Sequence, residues 1–158
     1  MTGPSDDALA RLAATQHGVF AAFQLADLKF SDDARHARIA AGRWEILYDG
    51  VYRMGGAPKT WRRDLLAACW AGGAGTLASH RSAAELWGLP SARADLIELT
   101  CARWKRTRQP GLRVHESTRI DDPDRAVVAN IPCTSVTRTL FDLARSVSSA
   151  ARARARAA

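Results

Sequence analysis

Hydrophobic and polar positions follow a helical rhythm at the start of the chain. Over residues 6–15, Leu9, Leu12 and Ala13 share one face. Asp6 and Asp7 stand in the first turn, where acids complement the helix dipole, and Gly18 closes the segment. Residues 20–28 predict a second short helix, with Phe20, Phe23, Leu25 and Leu28 available to a core. Ser31 is placed to cap a third helix over 31–41, closed by Gly42 and with Ala34 and Ile39 on its core side. Three short helices within about forty residues, the last two joined by a tight turn, are the skeleton of a helix-turn-helix.

The period then shortens. Residues 44–53 (WEILYDGVYR) are two β-prone runs flanking Asp49-Gly50, a dipeptide whose residues both tolerate positive φ. A hairpin directly after the third helix is the wing of a winged helix, and it is the order of elements that carries this inference. Gly55-Gly56-Ala57-Pro58 marks a boundary. Beyond it, residues 60–71 predict a helix with Trp61, Leu65, Ala68 and Cys69 at helical spacing. Ser79 caps another over 79–87, in which Arg81 and Glu85 form an i,i+4 pair. Residues 96–100, 112–115 and 126–129 are strand candidates, and Thr134 caps a last helix to about residue 145 with Leu140 and Leu143 as its apolar positions.

The expected fold class is therefore α+β. A winged helix-turn-helix spans 1–57, a small mixed α/β domain spans 58–146, and a low-complexity basic tail spans 147–158. At roughly 57 residues the first domain buries only about 60% of its unfolded surface, so it is expected to pack on the second. The tail (AARARARAA) has neither an apolar stripe nor a cap. It reads as the frayed end of a truncated chain, the alternative being a basic arm on nucleic acid.

Charge sharpens this picture. The 158 residues carry 23 Lys and Arg against 16 Asp and Glu, a net of +7, which favours polyanionic partners and nucleic acid above all. Through Ala57 there are six basic residues against seven acidic, a net of −1; the remainder holds seventeen against nine, a net of +8. The excess thus lies outside the proposed reader domain. Cys69, Cys101 and Cys133 are odd in number and far apart, and His17, His36, His80 and His115 do not cluster with them. Neither a disulfide framework nor a metal is implied, and reduced thiols in a cytoplasm are expected. No run approaches the roughly 20 apolar residues of a membrane span, and the acidic N-terminus does not read as a secretory signal.

Enzymatic motifs are sparse. Ser79-His80-Arg81-Ser82 contains nucleophile and base types, but neighbouring helix positions point apart and no orienting acid is evident. Cys133 precedes a predicted helix N-terminus, a setting that can lower a thiol pKa, but a small residue in a turn is the much plainer reading. There is no GxxxxGK[ST] or GxGxxG loop. Neither catalysis nor a cofactor is expected.

The segments HGVFAAFQLADL, SDDARHARIAAGRW and DGVYRMGG resemble the N-terminal winged helix of AbiEi-type antitoxins from type IV toxin–antitoxin systems. TLASHRSAAELWGLP, IELTC and IPCTSVTRTLFDLA are similar to the segment that follows it in actinobacterial relatives, so the resemblance covers roughly residues 8–146. It implies a bacterial cytoplasmic protein that binds operator DNA and represses its own operon. The partners it implies are double-stranded DNA and a nucleotidyltransferase-like toxin. Many relatives of this architecture continue into a domain resembling restriction endonucleases, so a DNA-targeting fragment lacking its catalytic domain is an alternative. A protein-interaction module gripping a toxin, or a second copy of itself as a homodimer, is another.

In a winged helix the third helix enters the major groove and the wing meets the backbone. Arg35, His36 and Arg38 are the candidate groove contacts, with Arg43 at the helix end, Tyr48 at the wing tip and Arg53 on the wing. Arg35 and Arg38 read equally well as solvated charges. Asp32 and Asp33 depart from the family's basic or small polar residues there and repel phosphate. Arg103, Lys105, Arg106 and Arg108 form the densest basic patch and are candidate phosphate contacts, with Trp104 between them as a stacking group; a solvated hairpin connection is the plainer reading.

Overall fold

The computed structural model describes residues 4–90, 96–105 and 110–157, with side chains between 5 and 146. The chain divides into two compact units, Met1–Gly73 and Ala74–Ala158. The division falls beyond the Gly55–Pro58 segment because helix α4 (Trp61–Ala71) packs on the strands of the first unit.

The first unit runs α1 (Pro4–Thr15), β1 (Val19–Ala21), α2 (Ala22–Asp27), α3 (Asp32–Ala40), β2 (Trp44–Tyr48), β3 (Val51–Met54) and α4. Its antiparallel sheet has the order β1-β3-β2. The second helix starts later than its apolar spacing predicts, because Val19, Phe20 and Ala21 are buried and pair with Arg53, Tyr52 and Val51 as a third strand. That strand swings Phe23 outward: it is 59% exposed and meets Trp70 edge-on at 6.2 Å. α3 forms as its cap predicts, the Ser31 Oγ accepting from the Ala34 N–H at 3.2 Å. In the β2–β3 hairpin only Gly50 takes positive φ (+74°), and the pairing slips between Ile46 and Tyr48. The turn is thus a bulged one rather than a symmetric two-residue loop.

Leu9, Ala13, Phe20, Leu25, Trp44 and Tyr52 form the core of this unit, with Phe30, Ile39 and Met54 against them. Phe20 stands edge-on to Trp44 at 5.0 Å and stacked on Tyr52 at 5.7 Å, an aromatic arrangement that adds about 0.5–1.5 kcal/mol per pair beyond burial. Gly55 is no linker. A Cβ there would lie 2.6 Å from the Gly42 carbonyl oxygen, so the chain after β3 presses backbone to backbone on the end of α3.

The second unit holds β4 (Leu77–Ala78), α5 (His80–Leu86), β5 (Ile97–Cys101), β6 (Leu112–Glu116), β7 (Arg125–Val128), β8 (Ile131–Thr134) and α6 (Val136–Ala157). The five strands are ordered β6-β5-β4-β8-β7; β5/β6 and β4/β8 are parallel and the other pairs antiparallel. Thr134 belongs to β8 rather than capping α6. Its hydroxyl lies 2.7 Å from that of Thr139, and its carbonyl accepts from the Trp87 indole at 2.9 Å. α6 packs on α5, with Thr139 and Asp142 buried while Leu140 is 52% exposed. Its backbone continues as helix to Ala157, through the segment read from composition as a frayed tail. The chain is thus mixed α+β, and among the described residues no helix is long and apolar enough to cross a membrane.

Candidate nucleic-acid interface

The exposed side of α3 is set by its helical period. Asp32, Asp33, His36, Ala37 and Ala40 face solvent, and Arg43 is exposed just past the helix end. The alanines keep the surface low, while the acids of the first turn favour the helix and disfavour a phosphate beside them. Arg35 stands at the margin of this stripe, half-buried, and its guanidinium meets Asp32 at 3.0 Å.

Arg38 points elsewhere. Its Nε and one terminal nitrogen donate to the two carboxylate oxygens of Asp6 at 2.7 and 2.8 Å, and the other terminal nitrogen donates to the Ala34 carbonyl at 2.9 Å. The guanidinium lies over the rings of Phe30 and Trp44, 4.8 and 5.4 Å from their centroids. The hydrogen bond to Asp6 raises its already high pKa. This arginine joins α3 to α1 across the core and has its planar fork fully engaged, so it is not a free groove contact.

The β2–β3 hairpin departs from expectation too. Arg53 pairs with Glu45, directly opposite it on β2, and donates to the Ala57 carbonyl at 3.1 Å. Tyr48 is half-buried, and burial, with the Asp64 carboxylate and Cys69 beside it, pushes its phenol above the ordinary value. Tyr48 therefore keeps its proton but turns toward α4 rather than standing at the wing tip. Of the six residues expected to meet DNA, the fold leaves His36 and Arg43 exposed and Arg35 partly so.

In the basic loop, Arg103 and Lys105 are exposed, whereas Arg106 and Arg108 lie outside the described residues. Trp104 is half-buried, with its indole N–H in the interior and its backbone N–H donating to Glu116 at 3.0 Å.

A polar cluster in the second unit was hidden by sequence distance. Ser79 and His80 do not point apart: Ser79 is extended, His80 takes a left-handed backbone (φ +50°), and the imidazole Nδ1 lies 3.0 Å from the Ser79 Oγ. The His80 ring stacks on that of His115 at 3.6 Å, and Glu98 is buried beside them. The alternation of β5 puts Glu98 and Thr100 on one face, and the parallel register sets Arg113 and His115 opposite them. The helical signal of the Ser79–Ser82 segment and the strand signals of 96–100 and 112–115 were visible separately; their meeting was not. Cys133 is fully buried on β8, and burial pushes its thiol up to about 11, the reverse of the lowered value that a helix N-terminus would produce.

No family model matches this chain, and no curated protein matches it.

Proposed function

We propose that this chain is a DNA-binding regulator, antitoxin-like and cytoplasmic, whose first unit is a winged helix-turn-helix that reads an operator in its own upstream region. The observation that carries the reading is the element order of the first unit. Helix, strand, helix, helix and hairpin close into a sheet of order β1-β3-β2, which leaves one side of α3 uncovered beside the β2–β3 hairpin. In that arrangement the third helix is the recognition element and the hairpin meets the backbone. His36, Arg43 and the margin residue Arg35 are the groups α3 offers a groove, and Arg103 and Lys105 supply general attraction to phosphate.

The test is fluorescence anisotropy with duplex from the upstream region beside a scrambled duplex, at two salt concentrations. A preference for the native duplex that survives the higher salt supports the reading. Arg35→Ala with Arg43→Ala is expected to weaken operator binding by about 1–3 kcal/mol per lost base contact. Where a side chain meets phosphate instead, its loss flattens the salt slope by about one. Equal binding to both duplexes, erased by salt, overturns sequence reading.

A further inference from the structure

We propose that His80, His115 and Glu98 bind a single divalent transition-metal ion of the zinc class, clipping the start of α5 to strands β5 and β6. The proposal concerns the second unit and stands independently of the DNA reading.

Each of the three residues offers one ligand atom, and these atoms lie within 4.8 Å of one another. Two imidazoles and a carboxylate are a donor set suited to zinc, which takes three protein ligands and a fourth from water or another side chain. A tetrahedral ion with bonds of about 2.0–2.1 Å spaces its ligand atoms at roughly 3.4 Å. Loading therefore needs the two rings to rotate out of their stack, a side-chain motion that leaves the backbone in place.

The surroundings prepare the site. Nδ1 of His80 is taken by the Ser79 hydroxyl, which also accepts from Thr100 Oγ1 at 2.8 Å, so Nε2 is left as the ligand atom. Such an outer hydrogen bond is what orients metal-binding imidazoles. The Glu98 backbone is held by Ser82 Oγ and the Ser79 N–H at 2.9 Å each. The Nε2 atom of His115 and the Oδ2 atom of Asp142 are buried and make no hydrogen bond, an arrangement that costs about 1–3 kcal/mol per group if nothing meets them. Arg113 competes, donating to Glu98 Oε1 at 3.0 Å, but its side chain is 57% exposed and can turn to solvent.

The experiment uses the full chain without a histidine tag, stripped with chelator and titrated with Co²⁺, which Zn²⁺ then displaces. One equivalent is expected, with the visible absorption of a nitrogen- and oxygen-ligated ion. Nitrogen-15 spectra of the unmodified chain should show Zn²⁺ shifting His80 and His115 while His17 and His36 stay put. Ser79→Ala is expected to weaken binding about 10–100-fold, and Glu98→Gln or His115→Ala by more. Glu98→Gln keeps the side-chain shape and the acceptor for the Arg81 N–H, so it separates ligation from folding. Three results overturn the proposal: no saturable binding, shifts confined to His17 or His36, or a thiolate charge-transfer band that places the ion on a cysteine.

Discussion

Replacing Arg38 by alanine separates a structural arginine from a DNA-reading one. The side chains of Arg38 and Asp6 are 16% and 13% exposed. Removing one partner of a fully buried pair costs about 3–5 kcal/mol, because the other charge is stranded. Water reaches this pair at its rim, which brings the cost below that of a fully buried pair, and about 2–3 kcal/mol is expected from Asp6 alone. The lost contacts with Phe30 and Trp44 add about 0.5–1 kcal/mol, bringing the total near 3 kcal/mol. At about 4–8 °C per kcal/mol for a unit of this size, the Tm of the first unit falls by roughly 12–24 °C. Arg38→Lys keeps the charge without the planar fork and recovers part of the loss. The assay is thermal and urea denaturation of wild type, Arg38→Ala, Asp6→Ala and the double variant, with duplex binding measured well below each Tm. A coupling of about 1–3 kcal/mol between the two sites is expected, and any affinity for the proposed operator duplex is expected to be largely kept. If Arg38→Ala left stability within about 0.5 kcal/mol of wild type and abolished DNA binding, the assignment of Arg38 to the core would be refuted.

Gly55→Ala should destabilise the first unit by about 1–3 kcal/mol in urea denaturation, since the new Cβ meets the carbonyl oxygens of Gly42 and Arg43 at 2.6 and 2.9 Å and backbone must move; an unchanged midpoint would show that the chain there is loose. Thr139→Val removes a buried hydroxyl that lies 2.7 Å from the Thr134 hydroxyl and donates to the Ser135 carbonyl at 2.8 Å, leaving the Thr134 group short of a partner at a cost of about 1–3 kcal/mol, read by the same denaturation. Cys69, Cys101 and Cys133 are all buried, and burial raises the Cys101 thiol and takes that of Cys133 up to about 11. A raised thiol stays protonated at pH 8, so a thiol-specific chromophore should report reaction only as the chain unfolds; rapid labelling of Cys133 in the native state would contradict its placement.

Local signals were legible in the amino-acid order. The Ser31 cap places α3, the first-turn acids with Leu9, Leu12 and Ala13 place α1, and the spacing of Trp61, Leu65, Ala68 and Cys69 places α4, because a cap and a helical stripe act over one or two turns. Strands β5, β6 and β7 also stand within a residue or two of their β-prone runs. Strands β1, β4 and β8 are two to four residues long and carry no periodic signal of their own. They are strands because a neighbouring edge supplies their hydrogen bonds, as Arg53, Tyr52 and Val51 do for β1.

Side-chain roles divide the same way. Sequence alone determined which groups were present: the arginines of α3, the serine before α5 with the histidine and arginine that open it, and the lone histidine of β6. Tertiary structure decided what each one faces. Asp6, 32 residues before Arg38, withdraws that arginine from the surface. The parallel pairing of β5 with β6 sets His115 beside Thr100, and the left-handed turn at His80 lays one imidazole on the other. Periodicity sees only neighbours along the chain, whereas a charge or an imidazole takes its role from whatever the fold brings within a few ångströms.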